Sequence, residues 1–474
     1  MSDATRQRPR VVVAGASGFV GRALIPRLAE RFDVVALSRA TTTETADATG
    51  VRWQRCDLFS LRETTEALAG ADYAVYLVHS MMPSARLTQG SFADIDLVIA
   101  DNFARAAEHA GLRQIVYLGG LAPSDGGLSQ HLESRLEVER TLGSRGVPVT
   151  AVRAGLVVGA GGSSFQILVR LVRRLPLMLC PSWTRTLTQP IALADVVEVL
   201  AGAVGAPDAT GAVLDVGGPD VLSYREMMQR TAALLGRRAR AFSVPFFTPG
   251  LSRLWVTLVT QTPRALVAPL IQSLRHPMVA SRDDLTKRLG RPGLGFEDAV
   301  RRALEDEAAS PDAKRETQIA ALSHERRRLR AARTVRSIQR LPLPPGRDAA
   351  WVAREYAAWL PRLFWPLVQV DVDTEGSCRF RVRPFGLLLL HLRLDHERST
   401  ADRQLFRIDG GALVHRRDGV EPGRLEFREA LDGRFVLAAI HDYEPALPWT
   451  LYSVTQALVH LWVMRRFERH LAEG

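Results

Sequence analysis

The sequence predicts an α/β chain in which a doubly wound parallel sheet precedes a smaller α+β domain. Three observations carry this. Short apolar runs alternate with helix-spaced patterns from residue 11 to about residue 155. The first run, Val11 to Ala14, leads straight into the turn Gly15-Ala16-Ser17-Gly18-Phe19-Val20-Gly21 and then into Ala23, Leu24, Ile25, Leu28 and Ala29 at helical spacing. From about Arg336 the rhythm changes to apolar–polar alternation with Asp-Gly pairs. Strands apolar throughout are buried on both faces and belong to a parallel sheet covered by helices, whereas alternating strands belong to a one-sided antiparallel sheet.

The elements follow in order. After the first strand and helix, Val34 to Leu37, Val51 to Cys56 and Tyr73 to Val78 read as the second, third and fourth strands. A long helix runs from about Phe92 to His109, and Ile115 to Leu118 is the fifth strand. Leu132 to Leu142 is helical, and Val149 to Val152 is the sixth strand. Gly159 to Ser164 is a flexible loop before an amphipathic helix, Phe165 to Leu175, that carries Arg170, Arg173 and Arg174. A small lobe follows: a short strand and helix from Pro190 to Leu200, a strand Val213 to Val216, and a helix Tyr224 to Leu235. Residues 241–275 are apolar and broken by prolines, which suits lobe packing, a greasy pocket or a surface resting on a membrane. Glu305 to Arg333 is a charged helical linker.

The 474 residues suffice for two or three domains, and 46% hydrophobic with 24% charged residues is a globular composition. Net charge is +11, with arginine strongly favoured over lysine, so anions are attracted. No aromatic-and-basic stripe of the kind that stacks bases is present, so no nucleic-acid partner is expected. Cys56, Cys180 and Cys378 lie far apart in no metal-like spacing and read as buried thiols of a reducing compartment. Met1 to Arg10 contains no apolar leader, and Leu451 to Met464 is too short and polar for the roughly 20 apolar residues of a membrane span. The expectation is a cytoplasmic chain with no metal.

In a doubly wound sheet a ligand lies beyond the carboxyl ends of the strands. The glycine turn lets the backbone approach a pyrophosphate, and the helix it opens offers free N–H groups and a partial positive charge. Gly15, Ala16, Ser17, Gly18, Phe19, Val20 and Gly21 are therefore candidate dinucleotide ligands of a Rossmann-type site. Ser38 and Arg39 follow the second strand, where an arginine suits a 2′-phosphate and so NADP(H), with NAD(H) as the alternative. Asp57 and Leu58 after the third strand could bracket the adenine, or Asp57 could cap a helix. Val78, His79 and Ser80 after the fourth strand would lie near the ribose and nicotinamide.

These features together resemble the atypical short-chain dehydrogenase/reductase family, and within it the YbjT-like and NmrA-like NAD(P)H-binding proteins. Besides the glycine turn, the resemblance rests on Leu77-Val78-His79-Ser80-Met81, His131-Leu132 with Arg135, and Val147 to Thr150 with Arg153-Ala154-Gly155. Thr188 to Leu193 and Gly217-Gly218-Pro219 with Leu222-Ser223-Tyr224 extend it to residue 308. Active members of that family carry a serine after the fifth strand and a tyrosine–lysine pair one helical turn apart. Here Gly119-Gly120, His131 and Arg135 stand in those places. An imidazole can move a proton near neutrality, while an arginine holds its own and can only clamp a ribose or phosphate. His131 and Arg135 are the candidate catalytic pair. The resemblance implies an NADP-dependent oxidoreductase of unknown substrate. The departures favour an alternative, a non-catalytic NADP(H) redox sensor or assembly factor acting through a protein partner.

In the C-terminal segment, Asp348 to Phe364 is helical, and Phe380/Val382, Leu388 to Leu394 and Leu425/Phe427 alternate with charged residues. Asp409-Gly410 and Asp432-Gly433 supply hairpin turns, and one long helix, Trp449 to Leu471, is available to cover the apolar face. This order of elements resembles the helix-grip domain attached to YbjT-like proteins. His391, His415 and His441 show no metal spacing, and no chemistry is assigned here. The expected boundaries are 9–308 for the dinucleotide-binding domain with its lobe, 309–334 for the linker and 335–474 for the C-terminal domain.

Overall fold

The computed structural model describes residues 8–39, 45–46, 50–79, 87–122, 128–174, 177–237, 240–243, 274–282, 284–309, 333–417 and 419–473. Ser80, most of the apolar stretch 241–275 and most of the linker 309–334 fall outside these residues. The chain divides into two compact units, Met1–Met82 with Ile99–Glu316, and Pro83–Val98 with Thr317–Gly474. No helix among the described residues is long and apolar enough to cross a membrane. All three cysteines are buried and free.

The first unit opens with β1 (Arg10–Ala14), α1 (Phe19–Ala29), β2 (Asp33–Ser38), β3 (Thr45–Ala46), β4 (Arg52–Arg55), α2 (Leu61–Leu68) and β5 (Tyr73–Tyr76). After β6 (Leu87–Gln89), which is part of the second unit, come α3 (Phe92–Ala110), β7 (Gln114–Gly120), α4 (Gln130–Gly143) and β8 (Val149–Ala154). Then follow β9 (Val157–Val158), α5 (Ser163–Arg174), β10 (Leu177–Cys180), β11 (Leu187–Thr188), β12 (Ile191–Ala192), α6 (Leu193–Ala203), β13 (Val213–Val216), β14 (Leu222–Ser223), α7 (Tyr224–Leu234) and β15 (Arg240–Ser243). The unit closes with α8 (Asp284–Leu289) and α9 (Phe296–Ala308).

The sheet order is β13-β8-β7-β5-β1-β2-β4-β3. Its strands are parallel except the two-residue β3, which runs antiparallel to β4. β1 lies inside the sheet with Val11, Val12, Val13 and Ala14 fully buried, as a strand covered by helices on both faces must be. Leu24, Ile25 and Leu28 of α1 pack in one core with Val196, Val199 and Leu200 of α6. Gln114 joins β7 and β8 to α6: its amide donates to Thr150 Oγ1 at 2.7 Å and to the Ala203 carbonyl at 3.0 Å. Its carbonyl accepts the Gly205 N–H at 2.8 Å, so this buried amide is satisfied at both ends. Residues 305–308, where the charged stretch begins, complete α9, whose apolar face (Phe296, Ala299, Val300, Ala303) is buried against α7.

The second unit contains β6, β16 (Val335–Pro342), α10 (Ala349–Leu363), β17 (Val368–Val372), β18 (Cys378–Val382), β19 (Leu387–Leu394), β20 (Arg403–Gly410), β21 (Arg424–Ala430), β22 (Phe435–Tyr443), α11 (Trp449–Val454) and α12 (Gln456–Glu473). Its sheet runs β17-β18-β19-β20-β21-β22-β16-β6, antiparallel except where β6 lies parallel to β16. The N-terminal part of the chain thus supplies an edge strand. Ser337 Oγ donates to Gln89 Oε1 at 3.2 Å, the Gln89 amide donates to the Ala457 carbonyl at 3.0 Å, and Arg340 donates to Asp94 at 2.8 Å. Helices α10 and α12 cover one face through Val352, Leu360, Met464 and Phe467.

Three details depart from expectation. The terminal helix is two helices, broken at Thr455 (φ −124°, ψ −85°). Asp432-Gly433 does turn a hairpin in the left-handed region, but Asp409-Gly410 ends β20 opposite an irregular step at His391/Leu392 and is followed by a longer loop. The alternating charges are not all solvated: Arg403, Glu426, Arg428 and His441 are buried. Arg403 and Arg428 both donate to Glu426 Oε1, and His441 Nε2 lies 3.3 Å from Oε2. Burial opposes ionisation of Glu426, but Arg403, Arg428 and His441 outweigh it and hold the carboxyl well below its usual range.

Burial also pushes the His460 imidazole down to about 4, and depresses His441 despite Glu426 beside it. Both rings stay neutral in the folded chain but take a proton in the unfolded one. Below the ordinary histidine value the unfolded state therefore binds more protons, and stability falls as the pH drops from about 6.5 towards 4. We expect the C-terminal unit to lose about 2 kcal/mol between pH 7 and pH 5, read as a lower urea midpoint of tryptophan fluorescence. His460→Leu should flatten that dependence; identical wild-type midpoints at the two pH values would contradict it.

Candidate cofactor and substrate site

From β1 the chain steps outward through β2 and β4, then returns to the other side of β1 as β5. A crevice opens beyond the carboxyl ends where the order reverses. Gly15 stands there at φ +85°, and a Cβ on it would meet the Leu77 carbonyl carbon at 3.0 Å. The Gly18 N–H donates to the Gly15 carbonyl at 3.0 Å and closes the turn. A Cβ on Gly21 would lie 2.5 Å from the Gly15 oxygen and 2.7 Å from that of Ala16. Only glycine allows the helix to start this close to the strand. The cap residue of α1, Gly18, has no side-chain acceptor, and the first turn carries no acidic residue. Its N–H groups and the positive end of the helix dipole are left for an anion.

A cavity of about 410 Å³ opens on this turn, lined by Gly15, Gly18, Phe19, Val20 and Gly21. One side is formed by Leu77 and His79 after β5, Leu118-Gly119-Gly120 at the end of β7, and Ala154 to Val157 after β8. His131, Leu132 and Arg135 project from α4. Ser129 caps this helix by accepting the Leu132 N–H at 3.3 Å, which fixes His131 in its first turn. The far side is apolar: Ile167, Leu168 and Leu171 of α5, with Trp183, Met228 and Met278. The loop Gly159 to Ser164 packs on Phe19 through Gly159 and Gly162 and contributes Gly162, Ser163 and Ser164 to the wall. Arg170, Arg173 and Arg174 of α5 are exposed on its outer face.

Among the described lining residues, the titratable side chains are His79, His131, Arg135 and Tyr224. The two imidazoles lie side by side, ring centroids 5.0 Å apart and tilted by 50°. Arg135 lies 5.1 Å over the Tyr117 ring and donates through Nη2 to the Leu118 carbonyl, while its buried Nη1 has no protein partner. A buried guanidinium nitrogen without an acceptor is costly, and Arg135 lines the cavity, where a ribose or phosphate oxygen could supply one. Burial raises the Tyr224 phenol well above its usual value, so it stays protonated and serves as wall, edge-on to Trp183 at 6.2 Å. At Gly119 a Cβ would crowd the Tyr117 ring at 3.1 Å.

Of the other sequence-derived candidates, Ala16 is buried beneath the turn and Ser17 points to solvent. Ser38, Arg39, Asp57, Leu58 and Val78 do not line this cavity. They lie at the carboxyl ends of β2, β4 and β5, along the same edge of the sheet. Arg39 is exposed and Ser38 buried. Asp57 does not cap α2: it accepts the Phe59 N–H at 3.2 Å, and Ser60 is the cap. The apolar wall escaped the sequence reading. Trp183, Tyr224 and Met228 come from separate segments that only the fold brings together, although the amphipathic pattern of α5 did announce a buried face.

Residues 15–168 match the family described as NAD(P)H-binding. They form an NAD(P)H-binding domain that takes a nicotinamide cofactor. The auxiliary protein GraX of Staphylococcus aureus is 30% identical over 113 residues, spanning 24% of this chain and 37% of that protein's length. The (4-alkanoyl-5-oxo-2,5-dihydrofuran-3-yl)methyl phosphate reductase of Streptomyces griseus is 26% identical over 301 residues, 61% of this chain and 95% of that protein. Among solved structures, the NADPH-dependent quinone oxidoreductase of Escherichia coli complexed with NADPH has a TM-score of 0.50 at 16% identity, covering 62% of this chain and 98% of its own. The Citrobacter sp. triphenylmethane reductase gives 0.50 at 16% identity, covering 63% and 99%. These structures share the fold of the first unit.

Gly21→Val tests the turn. The added carbon must displace the Gly15 and Ala16 carbonyls and with them the start of α1, so we expect a loss of about 1–3 kcal/mol in stability and of NADPH binding in titration calorimetry. Retained affinity would show that the helix start does not hold the cofactor.

Proposed function

We propose that the chain is an NADP(H)-dependent oxidoreductase acting on an apolar, carbonyl-like substrate. The observation that carries this is one cavity in which the glycine turn of an NAD(P)H-binding domain, a histidine and an apolar wall meet. When bound, the reduced nicotinamide supplies hydride. The turn and the α1 N-terminus hold the pyrophosphate, Arg135 Nη1 holds a ribose or phosphate oxygen, and Arg39 accepts the 2′-phosphate. Leu168, Leu171, Trp183 and Met228 exclude water and bind the apolar body of the substrate. His131 would give its proton to the substrate oxygen, and solvent would restore that proton. Glycines at 119 and 120 remove the serine hydroxyl that would otherwise orient the oxygen, so His131 both orients and donates.

A second reading is a non-catalytic NADP(H) sensor or assembly factor that signals through a protein partner. The replacement of the serine–tyrosine–lysine set by Gly119-Gly120, His131 and Arg135 favours it. The two readings share the cofactor site and differ in turnover.

Calorimetry with NADPH, NADP⁺, NADH and NAD⁺ checks the cofactor. The phosphorylated pair should bind at least about tenfold more tightly, and Arg39→Asp should abolish that margin; equal affinity for all four would remove Arg39 from the site. Catalysis is checked with quinones and aromatic aldehydes as acceptors. His131→Ala should lower turnover by about 10²–10⁴ and leave NADPH affinity intact. Full turnover in this variant would exclude His131 as proton donor, and cofactor binding with no turnover in any screen would favour the sensor.

A further inference from the structure

The second unit carries an apolar surface that its fold does not use. Trp365 is 70% exposed, Leu367 60% and Phe385 86%. They sit together where the chain leaves α10 and where β18 turns into β19, since the Arg383 N–H donates to the Leu367 carbonyl at 2.8 Å. The patch continues onto the terminal helices. Phe364 meets Trp462 edge-on at 6.0 Å. Leu451 and Val454 on α11, and Leu458 and Trp462 one turn apart on α12, are exposed as well. Among the described residues these side chains stay exposed instead of packing into a core.

Arginines border this surface closely. Arg383 stands 5.7 Å over the Trp365 ring and Arg466 5.7 Å over the Trp462 ring. Arg362, Arg465 and Arg469 are exposed beside them, and among the described residues none of the three forms an ion pair. Of the nearby carboxylates, Asp371 pairs with Arg381 at 3.4 Å and Glu355 with His470 at 2.8 Å, while Glu468 is exposed between Arg465 and Arg469 and leaves the face with an excess of arginines. Each tryptophan therefore presents an apolar edge with a cation stacked on it. That arrangement matches the boundary of an anionic bilayer, where rings enter the acyl border and guanidinium groups meet phosphates. Self-association through the same face would oppose each copy's arginines to one another.

We propose that this face of the C-terminal unit is a peripheral binding site for anionic phospholipid membranes. The whole chain, at a net charge of +11, is drawn to such a surface before the aromatic side chains insert.

The test is co-sedimentation of the full chain with phosphatidylcholine vesicles, with or without one-third phosphatidylglycerol. The expected result is at least about tenfold stronger partitioning onto the anionic vesicles, weakened by high salt and accompanied by a blue shift of tryptophan emission. Trp365→Ser with Phe385→Ser should lower the bound fraction about tenfold. Both side chains are solvent-exposed, so the melting temperature and NADPH affinity should hold and show that the variant is folded. The proposal is overturned if wild type ignores anionic vesicles at low salt or if the double variant binds as well as wild type. It is likewise overturned if sedimentation shows a lipid-independent dimer that the double substitution dissociates.

Discussion

The first unit depends on a contact in which no side chain takes part. The Cα of Gly21 lies against the carbonyls of Gly15 and Ala16, so α1 begins almost on top of the strand it follows. This closeness aims the helix N-terminus at the crevice between β1 and β5 rather than past it. The surrounding structure then acts as a frame for that point. The four valine and alanine residues of β1 are immovable under helices on both faces, and Gln114 pins β7 and β8 to α6 so that the chain ends carrying Gly119 and Gly155 stay in line. A backbone-made anion site of this kind has no side chain to titrate or oxidise, and its charge preference comes with the fold.

What was legible in the sequence was what depends on local pattern. Continuous apolar runs gave the parallel strands, and the Gly15–Gly21 spacing after one of them marked the turn on which the cavity opens. His131 and Arg135 were singled out through the family resemblance, as the residues standing where a tyrosine and a lysine would be, and the structure places both on the cavity. The wall opposite was not, because Trp183, Met228 and Met278 meet only through tertiary folding. The charges of β21 misled in a physical way. Alternation normally separates an apolar face from a wet one, but Arg403, Arg428 and His441 surround Glu426 well enough for the polar face to be buried too. Residues 83–98 gave no sign of belonging with the C-terminal unit, since a three-residue strand carries almost no periodicity.

On the proposed oxidoreductase reading, the site would pair an acid of unusual identity with an ordinary frame. A tyrosine needs a neighbouring cation to become a useful acid at neutral pH, whereas an imidazole is already poised there. With histidine at 131, a lysine at 135 is no longer required to tune it, and an arginine can be committed to the Leu118 carbonyl and the Tyr117 ring. The two replacements are thus chemically coherent as a pair. His79 lies beside His131 and faces the same space.

The edge strand β6 has a consequence for how the chain can be made and cut. Its residues are synthesised long before β16, the strand it pairs with through Val335 and Ser337. On the ribosome, Leu87 to Gln89 must wait, unpaired, through the emergence of the remaining strands of the first sheet. A fragment beginning at residue 335 would contain seven strands of its sheet but leave the β16 edge bare, with Ser337 and the Ala457 carbonyl deprived of Gln89. The gene is therefore not two modules in tandem. A truncation that removes the C-terminal domain also strands a piece of it within the dinucleotide-binding half, exposed as a pairing edge for other chains.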